Sequence, residues 1–416
     1  MEEKMKPRMV KTDILYNGVD ANRDISDVLS DFDFTDSIEE SDSISLTLGD
    51  REKMWAGTFM PVNGDRIQAS IVMENWNGQG KESRIRCGEF VVDSYRIQAP
   101  PQKIMIDGVS APVDRDFKDT KRTQTWEKVT IRQIAAEIAA RYGLSLVYDT
   151  EKDITLEREE QNEKTDSAYL KELCNQYGLG IKVYASQLVI WSYEEYEARE
   201  PAAYIWPEMA SKWSYKGSIQ GTYTGAKVSY SSPKKKETLT AFVGKEGRVL
   251  NVNQKAESVA DAERIGTYAI QNANRKEITA EITLCPEIAL PAAASQVLAL
   301  SGFGKIDGRY FVTCARHRLS SGGEYQLSLS MYRIAGQEET EQAEGSGGSG
   351  ENSYTVKSGD TLWDLARSFY GDATKYSTIY NANRDKIEEE AKRRGKESSN
   401  GGYWIFPGTE LTIPPA

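Results

Sequence analysis

The sequence predicts an α+β, β-rich chain in which two antiparallel β-barrels flank an α/β insert and a tethered βααβ module follows. Three observations carry this. Apolar and polar residues alternate over most of the first 115 residues, the period changes to a helical one at Trp126, and the run Gly345-Ser346-Gly347-Gly348-Ser349-Gly350 separates the last part of the chain from the rest. At 416 residues and about 150 residues per domain, roughly three domains are expected. An apolar share of 39 % is enough to give each a core.

The first domain, 1–118, reads as strands. Ile44, Leu46 and Leu48 alternate with polar residues, and so do Ile67, Ala69, Ile71 and Met73. In a strand this places the apolar set on one face. Turn signals at Asn63-Gly64-Asp65 and Asn77-Gly78-Gln79-Gly80 divide the strands, and 88–97 and 104–109 add two more around Pro100-Pro101.

The second domain, 119–205, is the α/β insert. Ile131, Ile134, Ala135, Ile138 and Tyr142 share a helical face, Thr130 and Gln133 are spaced as a capping box, and Gly143 ends the helix. A second helix, capped by Thr165 or Asp166, carries Leu170, Leu173, Cys174 and Tyr177 and stops at Gly178. A strand follows each stop, so the insert repeats a helix-then-strand unit.

Strands resume after Trp213 in the third domain, 206–335, the second barrel, around a helix from about 258 to 274 that aligns Ala262, Ile265, Ala269, Ile270 and Ala273. Residues 336–352 form a flexible Glu/Gly/Ser linker, a coil spanning roughly 25 Å. The last module occupies 353–416.

Composition narrows the function. With 63 acidic against 52 basic side chains the net charge is -11, which speaks against neutralising nucleic-acid phosphates, so no sequence-specific nucleic-acid partner is expected. No transmembrane segment is expected, since no window approaches 18 apolar residues. Met1-Glu2-Glu3-Lys4-Met5 is charged and unlike a signal peptide, so synthesis in the bacterial host cytoplasm is expected. The four cysteines, Cys87, Cys174, Cys285 and Cys314, lack any CxxC pair and read as reduced core thiols. His317 is the single histidine, so neither a metal site nor a cofactor is expected. Lacking a Ser–His–Asp set or a GxxxxGK[ST] loop, the chain is expected to carry no catalytic residues and not to be an enzyme.

Two basic runs have plain readings. Lys234-Lys235-Lys236 suits a solvated hairpin tip, and Lys392-Arg393-Arg394 is balanced by Glu388-Glu389-Glu390 on an exposed helix.

In the last module, Tyr354-Thr355-Val356-Lys357-Ser358-Gly359-Asp360-Thr361-Leu362-Trp363-Asp364-Leu365-Ala366 is followed by Tyr380-Asn381-Ala382-Asn383 and by Ile405-Phe406-Pro407-Gly408-Thr409-Glu410-Leu411-Thr412-Ile413-Pro414. This resembles a LysM domain, with a longer and more charged segment between Glu388 and Trp404 than is usual. The resemblance implies a groove that binds N-acetylglucosamine-containing glycans such as peptidoglycan. On this chain the groove positions are Gly359, Asp360, Thr361 and Leu362, with Asn383, Ile405 and Pro407 opposite. The turns themselves also require Gly359, Asp360 and Pro407, and Leu362 also suits the core.

Three stretches of the body carry a second resemblance. They are Gly88-Glu89-Phe90-Val91-Val92-Asp93 leading to the helix that ends at Tyr142-Gly143-Leu144, the helix and strand of 170–184, and Leu300-Ser301-Gly302-Phe303-Gly304-Lys305-Ile306-Asp307-Gly308-Arg309-Tyr310-Phe311-Val312. Together they resemble the late control gene D family, the baseplate hub proteins of contractile phage tails and phage-tail-like particles. The resemblance implies two tail-tube-like barrels per chain and a homotrimer joining a hexameric tail tube to a trimeric spike, with tail tube, spike and baseplate wedge proteins as partners. It also implies assembly into the baseplate of a virion or phage-tail-like particle. The LysM module is then either an assembly clamp or a peptidoglycan binder at the tail tip.

Overall fold

A computed structural model describes residues 7–76, 80–110, 116–232, 237–286, 288, 290, 292–335, 352–357, 360–370, 375–396, 398–399, 402 and 404–414. The turn at 77–79, the lysine tip 234–236, Gly359 and the linker up to 351 lie outside these residues. The chain divides into two compact units, 1–336 and 337–416.

The first unit opens with β1 (Met9–Tyr16), β2 (Val19–Asp20), the short helix α1 (Asn22–Ile25), β3 (Leu29–Ser37), β4 (Ser43–Gly49), β5 (Arg66–Glu74), β6 (Glu82–Gln98) and β7 (Lys103–Val109). The strands run in the order β3–β4–β7–β6–β5–β1, each pair antiparallel. Ile44, Leu46 and Leu48 of β4, Ile67 and Ile71 of β5, and Ile104 and Ile106 of β7 all enter one core with Ile14, Phe32 and Phe90. A sheet whose alternate side chains meet in one cluster must curl around it.

After this come α2 (Asp116–Asp119), β8 (Lys121–Thr130), α3 (Ile131–Arg141), β9 (Ser145–Asp149), β10 (Thr155–Thr165), α4 (Asp166–Gln176), β11 (Leu179–Tyr184), β12 (Gln187–Ser192) and α5 (Tyr193–Glu197). Both expected helix starts are present. Thr130 and Gln133 form the reciprocal capping box, and the Thr165 hydroxyl accepts the Ala168 amide at 3.3 Å. Both stops use glycine at positive φ, Gly143 at 66° and Gly178 at 70°. At Gly178 there is a second reason, because a Cβ there would lie 2.4 Å from the Tyr268 ring. The strands that follow the stops, β9 and β11, flank β12, and the β9–β12 pairing is parallel.

The remaining elements are β13 (Ala203–Ile205), β14 (Ala210–Gly217), β15 (Gly225–Ser232), β16 (Glu237–Gly244), β17 (Val249–Val252), α6 (Val259–Asn274), β18 (Ile278–Leu284), β19 (Val297–Leu300), β20 (Gly308–Ser320) and β21 (Tyr325–Arg333). Six of them form the second half, in the order β14–β18–β21–β20–β19–β13. The two halves share one 13-stranded sheet through β20. Its first residues pair with β19 and its last with β3, from Cys314 opposite Ser37 to Ser320 opposite Asp31.

One boundary differs from the sequence reading, which ran the second barrel without a break from 206 to 335. The small sheet β16–β15–β17 and helix α6 pack with the insert instead. Ala226, Val228, Ala241, Val252, Ala262 and Ile265 join Ile131, Leu170 and Leu188 in a separate core. Periodicity shows which face of α6 is apolar, but the neighbour that covers this face is chosen by packing. The middle unit is therefore discontinuous in sequence.

Candidate functional site

The second unit is built from β22 (Asn352–Thr355), α7 (Leu362–Tyr370), α8 (Tyr376–Arg393) and β23 (Glu410–Ile413). The strands pair antiparallel, from Asn352 opposite Ile413 to Thr355 opposite Glu410. The helices close over them through Val356, Leu365, Ala366, Ile379, Ile387 and Leu411. Backbone pairing runs on past the strand ends, since the Val356 amide donates to the Thr409 carbonyl and the Gly408 amide to the Val356 carbonyl, each at 2.8 Å. The loop leaving β22 and the loop entering β23 are thereby held side by side.

Four of the seven expected groove residues fall on these paired loops. Asp360 staples its turn, as its Oδ2 accepts the Tyr354 hydroxyl and the Lys357 amide, each at 2.7 Å. Burial and this bond push the Tyr354 phenol up to about 12. The carbonyl of Thr361 accepts the Leu365 amide at 3.0 Å and so starts α7. Across from them, Ile405 packs against the core and Pro407 is exposed. Gly359 lies outside the described residues.

Two expected groove residues are instead structural. Leu362 is 2 % exposed, on the same inward stripe as Leu365 and Ala366. Asn383 is 3 % exposed, and its amide group is taken up by the backbone of Ile379 and Thr412. Neither offers a polar group to a ligand.

The exposed aromatic side chains are different ones. Trp363 and Tyr376 lie with ring centroids 5.3 Å apart, and Trp404 sits in the loop before β23 under the Lys396 ammonium at 4.1 Å. Trp363 was findable in the sequence, since it falls off the stripe that buries Leu362 and Leu365. Trp404 was not, because its place depends on how the long segment after α8 folds back. There the Ser399 amide donates to Glu388 at 2.9 Å, and the Gly402 amide to the Ser399 hydroxyl, also at 2.9 Å. The Ser399 hydroxyl and amide, with the Tyr380 hydroxyl, hold the Glu388 carboxyl below the usual range. These polar groups satisfy one another, and what the surface offers a ligand is the exposed aromatic faces of Trp363, Tyr376 and Trp404, which suit stacking.

Residues 354–389 match the LysM domain family model. The terminal module is a LysM domain. The match stops at 389, so the loop with Trp404, Ile405 and Pro407 lies beyond it.

The body of this LysM-bearing chain has the fold of phage tail proteins. The 43 kDa tail protein of prophage MuSo2 from Shewanella oneidensis superposes with a TM-score of 0.60 at 15 % identity, covering 79 % of this chain and 98 % of that one. A tail protein from Neisseria meningitidis MC58 does so with a TM-score of 0.60 at 13 % identity, covering 79 % and 97 %. Among curated proteins, the uncharacterized protein YqbP of Bacillus subtilis (strain 168) is 38 % identical over 96 residues, 22 % of this chain and 42 % of YqbP. The chain thus spans less than half the length of that relative. Among the described residues no helix is long and apolar enough to cross a membrane, and no cluster of three or more His, Cys, Asp or Glu could hold a metal.

Proposed function

We propose that this chain is the baseplate hub of a contractile phage tail or phage-tail-like injection particle, a trimeric adaptor between the hexameric tail tube and the trimeric spike, with a structural and not a catalytic task. The observation that carries the reading is the tail-protein fold over 98 % and 97 % of two tail proteins, with a LysM domain appended. Each chain holds two halves, of seven and six strands, joined through β3 and β20. Three chains would bring six such halves to a ring, one for each tube subunit, and so reconcile the two symmetries. In this reading the LysM domain clamps neighbouring baseplate proteins. The burial of Leu362 and Asn383 favours it, because two positions assigned to glycan are committed to the core. Mixing the full chain with the tail tube and spike proteins of its own particle tests the role. A complex with three copies of this chain and six tube subunits is expected, and failure to bind either partner contradicts it.

A second reading places the LysM domain on peptidoglycan at the tail tip. Exposed Trp404, beside Ile405 and Pro407, favours it, since an aromatic face is what sugars stack on. Co-sedimentation of the full chain and of a chain ending at 336 with purified peptidoglycan separates the two readings. Binding by the full chain alone supports the second.

A further inference from the structure

One ammonium group ties the middle unit to both barrel halves. Lys182, on β11, donates to Asp42 at 2.8 Å and also pairs with Asp36. Asp36 belongs to β3 of the first half, and its Oδ2 accepts the Ala294 amide at 2.8 Å from the segment that leads into β19 of the second. Asp42 lies between β3 and β4. Its Oδ1 accepts the Ser37 amide at 3.0 Å, while its Oδ2 is buried and has no hydrogen-bond partner. Other contacts cross the seam as well, among them the Ser110 hydroxyl on the Val183 carbonyl at 3.2 Å, the Tyr184 hydroxyl on the Arg86 carbonyl at 3.1 Å and the Tyr332 hydroxyl on Glu197 at 2.6 Å, with Trp191 and Tyr196 packed against Phe311 and Tyr332.

Charge does not balance here. One cation faces two carboxylates, and the side chains of Lys182, Asp36 and Asp42 are only 14 %, 12 % and 0 % exposed. No neighbour makes up the difference. Cys87 of β6, Tyr184 of β11 and Cys314 of β20 have their ionisation pushed up by burial, and burial holds His317 of β20 neutral down to about 4. At the rim, Lys118 donates to the Ser41 hydroxyl at 2.9 Å and Lys171 to the Glu39 carbonyl at 3.0 Å, with Glu39 and Glu40 adding negative charge. An uncompensated charge buried at a seam is costly, and a proton on the bare Oδ2 removes it without breaking a bond that the site makes.

We propose that Asp42 is a proton-operated latch, gripping the middle unit onto the barrels while protonated and loosening it once the proton leaves. Burial, working against the attraction of Lys182, pushes the Asp42 carboxyl up to about 7. The closed seam therefore holds the proton more tightly than the open one, where the carboxyl returns to its ordinary value. The grip is full below about 4, is lost progressively up to about 7, and changes no further above that.

Hydrogen exchange of the full chain between pH 5 and 7, corrected for intrinsic rates, tests this at the Ser37 and Ala294 amides, which donate to the latch carboxylates. The comparison is Asp42→Asn, which keeps the shape and the Ser37 contact but cannot ionise, with Asp42→Ser as a second neutral variant. The opening of these amides, taken relative to the β15–β16 hairpin, is expected to rise at least about tenfold with pH in the unaltered protein and to stay flat in either variant. A flat profile in the unaltered protein overturns the latch whether or not the variants fold, and so does an equal rise in a folded variant.

Discussion

The side chain of Asn383 treats Thr412 as a neighbouring strand would. Its Oδ1 accepts the Thr412 amide at 2.7 Å, and its Nδ2 donates to the Thr412 carbonyl at 2.6 Å. With β22 on one side of β23 and Asn383 on the other, this side chain caps the free edge of β23, where Lys386 of α8 also reaches the Glu410 carbonyl at 3.5 Å. Asn383→Ala leaves the half-buried amide and carbonyl of Thr412 without this partner, each worth about 1–3 kcal/mol. The LysM transition in calorimetry of the full chain is expected to fall by the equivalent of about 2–4 kcal/mol, while the transition of the body stays in place. Two unmoved transitions would show that water replaces the side chain.

His317 makes the body sensitive to acid. It is 1 % exposed, stacks on Phe34 with ring centroids 5.6 Å apart, and has Nδ1 2.7 Å from the Tyr325 hydroxyl. Burial lowers its pKa to about 4. Because the unfolded chain takes up this proton first, stability is full above about 6.5 and is lost as pH falls from there to about 4, by on the order of 3 kcal/mol. Asp42 works in the opposite sense over the same range, so urea midpoints of the body at pH 6.5 and 4.5 are compared in an Asp42→Asn background, where the loss should show and a further His317→Gln should reduce the slope. An unchanged slope would place the acid sensitivity in the carboxylates.

Gly178 joins a helix stop to a helix contact. Its φ of 70° and the Tyr268 ring, 2.4 Å from where a Cβ would stand, both reject a side chain. Gly178→Ala is expected to cost about 1–3 kcal/mol, whereas Gly143→Ala, where nothing crowds the added methyl, should cost about 1 kcal/mol from φ alone. Thermal melting of the two variants checks this, and equal losses would remove the Tyr268 contact from the explanation.

The parts of this fold legible in the sequence were those set by neighbours along the chain. The alternation of Ile44, Leu46 and Leu48, the Thr130–Gln133 capping box and the glycine stops are local, and each stands where its pattern placed it. Long-range choices were not legible. The apolar stripe of α6 was visible, but not that it covers β15 and β16 and joins the core of the insert. Asn383 looked like a polar groove residue, because nothing near it in sequence announces Thr412 as its partner. Nothing beside Lys182 in the sequence marks it as paired, and only folding brings Asp36 and Asp42 to it.

Native mass measurement of the full chain at micromolar concentration, alone and with the spike protein of its particle, tests the hub reading most directly. A species of three chains, retained when the chain is shortened to 1–336, is the predicted result and places the assembly in the barrels. A monomer or dimer under both conditions would contradict a trimeric adaptor.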